Sequence, residues 1–324
     1  MASKYIASVD IGGTKILGAI LNTEEGIVYR YKRPSVANAG DQAFIMDLAD
    51  FINQLMEDSG VGEDNIAGIT LGVPGSVDIE NGIIGMAPNL GLVNFPIADE
   101  LKRRTHHEVF IENDVNIAAL GIHNFGVAQG RKNVLVVFVG TGIGGGMIID
   151  GKLYRGASSM AGEIGHMHIR TNGPLCGCGK HGCFEAVASR TAIVRDITTL
   201  IKKGKSSVLK EKLDQGKPIK SKAISSAIEG GDKVAKKVMS HACEVIGTTV
   251  ASINNLMNFE MVVFGGGVLE ANENYMLPKI KKSFLQHSLP DAAKVVDVVG
   301  TRLRDDAPLY GGIPLIKEYL GIDL

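Results

Sequence analysis

Twice along this chain an apolar strand runs into a glycine-rich turn and straight out again as a second strand. The first passage is Asp10-Ile11-Gly12-Gly13-Thr14-Lys15, the second Val139-Gly140-Thr141-Gly142-Ile143-Gly144-Gly145-Gly146. Such a turn pairs its two strands antiparallel and lets bare backbone N–H groups converge. Around the first turn, periodicity predicts strands over residues 5–10, 16–21 and 27–31 and an amphipathic helix over 41–59 carried by Phe44, Leu48, Phe51, Ile52 and Leu55. A strand over 65–71, a short helix over 97–104 and a strand over 109–112 complete the set. A similar order then begins again. Strands are predicted over 134–139, 145–149 and 151–154, helices near 190–203, 222–229 and 232–255, a buried strand over 261–264, a helix over 272–288, a strand over 294–299 and a last helix from 307. The polar, lysine-rich stretch 202–222 reads as an exposed connection. The expectation is an α/β chain whose two lobes, of like pattern though weakly alike in sequence, face each other across a cleft.

The glycine-rich loops, the segment 112–116 and the loop 72–75 all fall at predicted strand ends, where ligands bind in open α/β sheets. Gly12 and Gly13 can aim successive N–H groups at a phosphate, Thr14 and Lys15 add a hydroxyl and a cation, and Asp10 can place a magnesium ion through water. A plain hairpin turn is the alternative. The second turn contains GxGxxG, but Met147-Ile148-Ile149 continues it as strand where a dinucleotide fold needs a helix, so a phosphate hairpin replaces the Rossmann reading. No GxxxxGK[ST] occurs. Gly265-Gly266-Gly267 ends a buried strand and either makes a tight turn or offers bare backbone to a base or ribose. In Glu112-Asn113-Asp114-Val115-Asn116 one Asn or Asp suits a helix N-cap. Four polar residues in five exceed that need, and a carboxylate here can accept the proton of an attacking hydroxyl. Gly72-Val73-Pro74-Gly75 and the loop from Pro88 to Asn94 are bland except for their position at strand ends.

Three of the four cysteines, Cys176, Cys178 and Cys183, fall within eight positions, and His166 stands ten residues ahead of the first. Three thiolates and one imidazole make the closed tetrahedral set of a structural zinc site, with a redox pair or unligated thiols as the alternative. Glu163 and Glu185 bracket the cluster and, as hard oxygen ligands, suit sugar hydroxyls. His168 and His181 read as outer-shell or exposed, and Cys243 as a buried thiol. A net charge of −1 gives no footprint for nucleic acid or an acidic membrane surface. The N-terminus has no secretory pattern, and the uncharged run 133–149 is broken by five glycines, against a membrane span. Clustered cysteines in a chain this long do not make a secreted disulfide framework, so a cytoplasmic location is expected.

Taken together and in this order, the DxGGTK, GVPG, END and GTGIGGG loops and the segment from Gly165-His166 through Cys176-x-Cys178 to Cys183-x-Glu185 resemble the ROK family of repressors, uncharacterised frames and kinases. The resemblance runs from Asp10 to the final helix. It implies an actin-like ATPase fold with two ribonuclease-H-like lobes, residues 1–115 joined by 307–324 forming one and 116–306, with the zinc segment 162–185, the other. It implies an ATP-dependent sugar kinase of the glucokinase type acting on the 6-hydroxyl of glucose, with ATP, Mg2+ and structural Zn2+ and a homodimer as partner state. Carried over by residue, Asp114 is the catalytic base. Gly75, Asn94, Asn113, Glu163, His166 and Glu185 meet the sugar, and Gly12, Gly13, Thr14, Lys15, Thr141 and Gly142 meet phosphate. His166, Cys176, Cys178 and Cys183 hold zinc, so His166 serves both zinc and sugar. Leu92 stands where glucokinases of this kind carry Trp. N-acetylmannosamine or N-acetylglucosamine is the alternative substrate. A non-catalytic sugar sensor or a repressor is disfavoured, since the first phosphate strand starts about five residues in, leaving no room for a helix-turn-helix.

Overall fold

The computed structural model describes residues 4–36, 40–322 and 324. In chain order the first elements are β1 (Tyr5–Ile11), β2 (Lys15–Asn22), β3 (Gly26–Pro34), α1 (Asp41–Ser59), β4 (Ile66–Val73), β5 (Ser76–Asp78), β6 (Ile83–Ala87), β7 (Leu92–Phe95), α2 (Ile97–Thr105), β8 (Val109–Asn113) and α3 (Asp114–Phe125). There follow β9 (Val134–Val139), β10 (Ile143–Ile149), β11 (Lys152–Leu153), α4 (Phe184–Ala188), α5 (Arg190–Lys202), α6 (Lys210–Asp214), α7 (Ser221–Glu229) and α8 (Lys233–Met257). The last are β12 (Met261–Gly265), α9 (Gly267–Ala271), α10 (Glu273–His287), α11 (Pro290–Val295), β13 (Asp297–Gly300) and α12 (Ala307–Leu320). The chain divides into two compact units, one made of residues up to 130, 146–161 and 305 onward, the other of 131–145 and 162–304.

The first sheet has strand order β3-β2-β1-β4-β8 and the second β11-β10-β9-β12-β13, so the duplication expected from pattern is present in topology. In the first sheet β1 runs antiparallel to β2 and parallel to β4, which is parallel to β8. In the second, β12 is parallel to both β9 and β13. The pattern of β2 shows why a sheet with helices on both faces reads as one apolar run. Ile16 and Ile20 join the cluster of Phe44, Leu48, Phe51 and Leu55 from α1. Their neighbours Leu17, Ala19 and Leu21 point the other way, onto Leu309, Ile313 and Ile316 of α12. Each of the Ile, Leu and Phe side chains among them contributes on the order of 1.5–3 kcal/mol when fully buried. Edge strand β3 is covered less fully, and its alternating half-buried and exposed residues suit that position.

α3 and α12 cross with almost no space between backbones. A Cβ on Gly121 would fall on the carbonyl oxygen of Ala307, and one on Gly311 on that of Ile117. Phe125 and Tyr310 pack ring against ring beside this crossing, centroids 5.3 Å apart. In the second unit β9 and β12 are almost wholly buried, and α8, the longest helix at 25 residues, packs on α10.

Four local expectations need correction. Residues 294–295 are not strand: Pro290, free of an N–H to satisfy, starts α11, and β13 begins only at Asp297. β10 starts at Ile143, two residues earlier than expected, so three glycines of the second turn are strand residues. The stretch after Gly75 holds a three-stranded sheet, β5-β6-β7, whose strands are too short to show a period. The connection 202–222 contains α6 and buries Leu209 and Ile219.

Gly311→Ala is expected to lower unfolding free energy by about 1–3 kcal/mol, the usual cost of forcing atoms into a filled space. Denaturant titration would show it as a lower midpoint at unchanged slope.

Candidate functional site

The expected site residues fall into groups within each unit. In the first unit the parallel register aligns Asp10 with Gly72 and Gly72 with Glu112. The Asp10 carboxylate and the Asp114 backbone both lie within 3.7 Å of where a Gly72 Cβ would stand. Burial first, then the Asp114 carboxylate, push the Asp10 pKa up to about 7, with Lys15 acting in the opposite direction. Two adjacent carboxylates of this kind are hard oxygen donors suited to a magnesium ion, whose charge would offset the repulsion on Asp10. Gly12 N–H donates to Lys15 O at 2.9 Å, closing the turn, and leaves Gly13 and Thr14 exposed. The Lys15 amine is engaged by Asp305 at 2.6 Å, a partner invisible in the motif because it lies 290 residues away.

Asn113 caps α3: its side-chain oxygen accepts from the N–H groups of Val115 (2.9 Å) and Asn116 (3.2 Å), and its Nδ2 donates to Gly75 O at 3.1 Å. The cap reading therefore belongs to Asn113. The Asp114 carboxylate stands in the first turn of the helix, where the positive end of the dipole favours an anion. Gly75 has φ +96°, and a Cβ there would run into Met86 O, so only glycine can bring its carbonyl to Asn113. Asn94 is exposed in β7 with φ 48°, a conformation Asn tolerates. Glu112, fully buried, turns away from solvent to pair with Arg155 at 2.6 Å.

The second unit gathers the cysteine segment around the second glycine turn. The ligand atoms of His166, Cys176, Cys178 and Cys183 all lie within 4.8 Å of one another. His166 Nδ1 is 3.7 Å from Cys176 Sγ, and Cys178 Sγ is 3.7 Å from Cys183 Sγ. A tetrahedron with metal–sulfur bonds of about 2.3 Å has edges of about 3.8 Å, so the four groups fit zinc. His166 Nδ1 faces the thiols while Nε2 faces Glu163 Oε2 at 3.8 Å. His168 and His181 stand outside the cluster, each with its Nδ1 against a backbone carbonyl.

Glu185 joins the Cys3His cluster to the glycine turn. One oxygen lies 3.8 Å from Cys176 Sγ and the other accepts from the Ile143 N–H at 3.0 Å. A Cβ on Gly142 would collide with that second oxygen. Gly142 is therefore bare to admit Glu185, a reason the motif did not reveal. Glu163 is half-buried, and burial raises its pKa, with His166 lowering it and Glu185 raising it. Thr141 is exposed, its hydroxyl accepting from Arg190 at 2.5 Å and its carbonyl from the Thr191 hydroxyl at 2.8 Å. Of the third glycine set, Gly265 is packed on Phe138 and Gly266 on the Val139 backbone, and Gly267 alone faces open space. Just past it lies an open pocket of about 550 Å³ lined by residues that include Glu229, Lys236, Asn272, Tyr275 and Arg304. The Asn272 side-chain oxygen is buried without a hydrogen-bond partner. Arg190, Asp305 and these pocket residues were not expected from sequence; only Ser189, the N-cap of α5, marked the place of Arg190 as a helix start.

No described helix is long and apolar enough to cross a membrane. A sequence model of the ROK family matches residues 6–319. A glucokinase of Halalkalibacterium halodurans is 35% identical over 319 residues, covering 98% of this chain and 96% of that protein. Among solved structures, a ROK family glucokinase from Streptomyces griseus in complex with glucose and AMPPNP superposes with TM-score 0.82 at 30% identity, covering 96% of this chain and 98% of that one. A ROK family transcriptional regulator, a homologue of the E. coli MLC protein, superposes with TM-score 0.85 at 27% identity, covering 98% of this chain and 78% of that one.

Two outcomes follow from these environments. In the fold Asp10 keeps its proton to about pH 7, in the unfolded chain only to about 4. The folded state therefore binds the extra proton between those values and loses stability as pH rises through them. Asp10→Asn should melt a few degrees above wild type at pH 8, with the gap closing at pH 4. Burial also pushes the Cys176 thiol up to about 12, so protons compete with metal there. Elemental analysis should find about one zinc per chain, and a chromophoric chelator should release it faster as pH falls from 8 to 5.

Proposed function

The chain belongs to the ROK family, and we propose that it is an ATP-dependent hexose kinase of the glucokinase type. Its fold is that of the actin-like ATPases, α/β with two lobes of duplicated topology. In this reading Asp114 accepts the proton of the sugar 6-hydroxyl as the γ-phosphoryl group is transferred. The observation that carries it is the β8–α3 junction. There Asn113 takes the capping role, and the Asp114 carboxylate stands close enough to Asp10 to raise its pKa. Phosphoryl transfer needs little covalent work from a protein, so positioning and charge neutralisation dominate. Magnesium, when bound, neutralises charge on the transferred group, and Asp10 would place it.

The sugar hydroxyls are read by Glu163, Glu185, Asn94, Asn113, the Gly75 segment and His166 through Nε2. Zinc would be held by His166 Nδ1 and the thiolates of Cys176, Cys178 and Cys183, so that the same imidazole has one nitrogen for each task. The zinc role is structural: it sets the backbone that carries Glu163 and Glu185. The turn atoms of Gly12, Gly13, Thr14, Thr141 and Gly142 meet ATP phosphates, and Lys15 would exchange Asp305 for them. The pocket beyond Gly267 takes the nucleoside end.

The regulator at TM-score 0.85 supports a second reading, a sensor that binds sugar without turnover. A coupled assay of ADP release separates the two when run with glucose, mannose, fructose, N-acetylglucosamine and N-acetylmannosamine. Glucose-dependent release is expected; sugar binding with no release for any member of the panel would sink the enzyme reading. Asp114→Asn should lower kcat by a factor on the order of 10²–10⁴.

A further inference from the structure

We propose that Arg155 is a positioning residue for Asp114, acting through the buried carboxylate of Glu112; the proposal rests on the kinase reading above. Arg155 lies two residues beyond β11 and belongs to none of the motifs that mark the site. Its Nε donates to Glu112 Oε2 at 2.6 Å, and its Nη1 and Nη2 donate to the two oxygens of Glu318 on α12 at 2.7 and 2.8 Å. Glu112 has no solvent exposure, and the Arg155 side chain is only 14% exposed. The remaining Glu112 oxygen accepts from the Asn113 N–H at 2.9 Å and from Asn116 Nδ2 at 3.1 Å. Asn113 in turn caps α3 and holds Gly75 O. One carboxylate thus determines where β8 hands over to α3, and Asp114 is the first residue after the handover.

The physical case is the cost of a buried charge. A carboxylate sealed from water is tolerated when paired, and removing its partner leaves that charge uncompensated. Without Arg155, Glu112 must take up a proton or turn toward water. A proton would compete for the oxygens that accept from Asn113 and Asn116, and a turn would abandon them. Either way the first turn of α3 is released, and a general base shifted by about 1 Å can cost on the order of 10²-fold in rate. Lysine cannot replace the arrangement, because only the planar fork of arginine reaches Glu112 and both oxygens of Glu318 together.

The test compares Arg155→Met with the double variant Glu112→Gln/Arg155→Met. The glutamine amide keeps a carbonyl oxygen for Asn113 and Asn116 but carries no charge to neutralise. In the ADP-release assay Arg155→Met should lose roughly 10- to 100-fold in kcat, with KM for ATP within about twofold of wild type, and the double variant should regain roughly tenfold. A salt bridge that merely stabilises would leave kcat per folded molecule unchanged in both, which overturns the proposal. Amide exchange over residues 113–116 gives a readout independent of activity: faster exchange in Arg155→Met, reversed in the double variant, is expected, and unchanged exchange overturns the clamp. If wild type releases no ADP with any sugar, the kinase reading fails and amide exchange alone decides the clamp. Should Arg155→Met not fold, Arg155→Lys takes its place with the same expectations in smaller measure.

Discussion

The hydrogen-bonded register of β1, β4 and β8 is the constraint from which the rest of the first unit follows. It places Asp10 opposite Gly72 and Gly72 opposite Glu112. Because the three strands are parallel, their loops all leave from the same edge, and a turn, a strand end and a helix start come to lie side by side. A shift of one residue would turn every side chain of a strand to the other face. Asp10 would then leave its place near Asp114, and Glu112 would lose Arg155. Side chains of both sheet faces are fitted to their helices, one face to α1 and the other to α12, and a shift would exchange those partners.

The second unit solves a different problem. Residues 162–185 contain little regular structure, and their side chains cannot rely on a sheet for position. The Cys3His cluster, the β-bridges between His168 and Cys183 and between Leu175 and His181, and the bond from Ile143 to Glu185 supply that rigidity instead. Structural zinc contributes folding energy directly in small domains. A metal held here would act on two carboxylates, Glu163 and Glu185, each within a few ångströms of a cluster residue. Gly142 shows how tightly this is built, for its missing Cβ is the space that the Glu185 carboxylate occupies.

Much of this was legible in the chain. Periodicity located α1, α8, β9 and β12, because long amphipathic helices and fully apolar strands leave strong patterns. The grouping of His166, Cys176, Cys178 and Cys183 was legible because Cys and His are rare residues and were clustered. The short strands β5 to β7 were not, since three to five residues cannot display a period. Nor was the start of β13, where Pro290 overrode an apolar run by opening a helix. The partners of charged residues were least legible of all. Lys15 reads as a phosphate cation in its motif and meets Asp305 in the fold, and Arg155 shows no signal because Glu112 and Glu318 lie 43 and 163 residues away.

By itself the sequence determined where the glycine turns, the helix start at 112–116 and the Cys3His set lie along the chain, because backbone geometry ties turn residues, caps and ligand spacings to local order. Tertiary structure decided what surrounds each of those residues. It gave the cap to Asn113 and set the Asp114 carboxylate near Asp10, it gave His166 Nδ1 to the thiols and Nε2 to the Glu163 side, and it set the Glu185 carboxylate in the space a Gly142 Cβ would fill. The reason is that a side chain's role depends on which donors, charges and atoms surround it in space, and those neighbours come from segments that no local pattern connects.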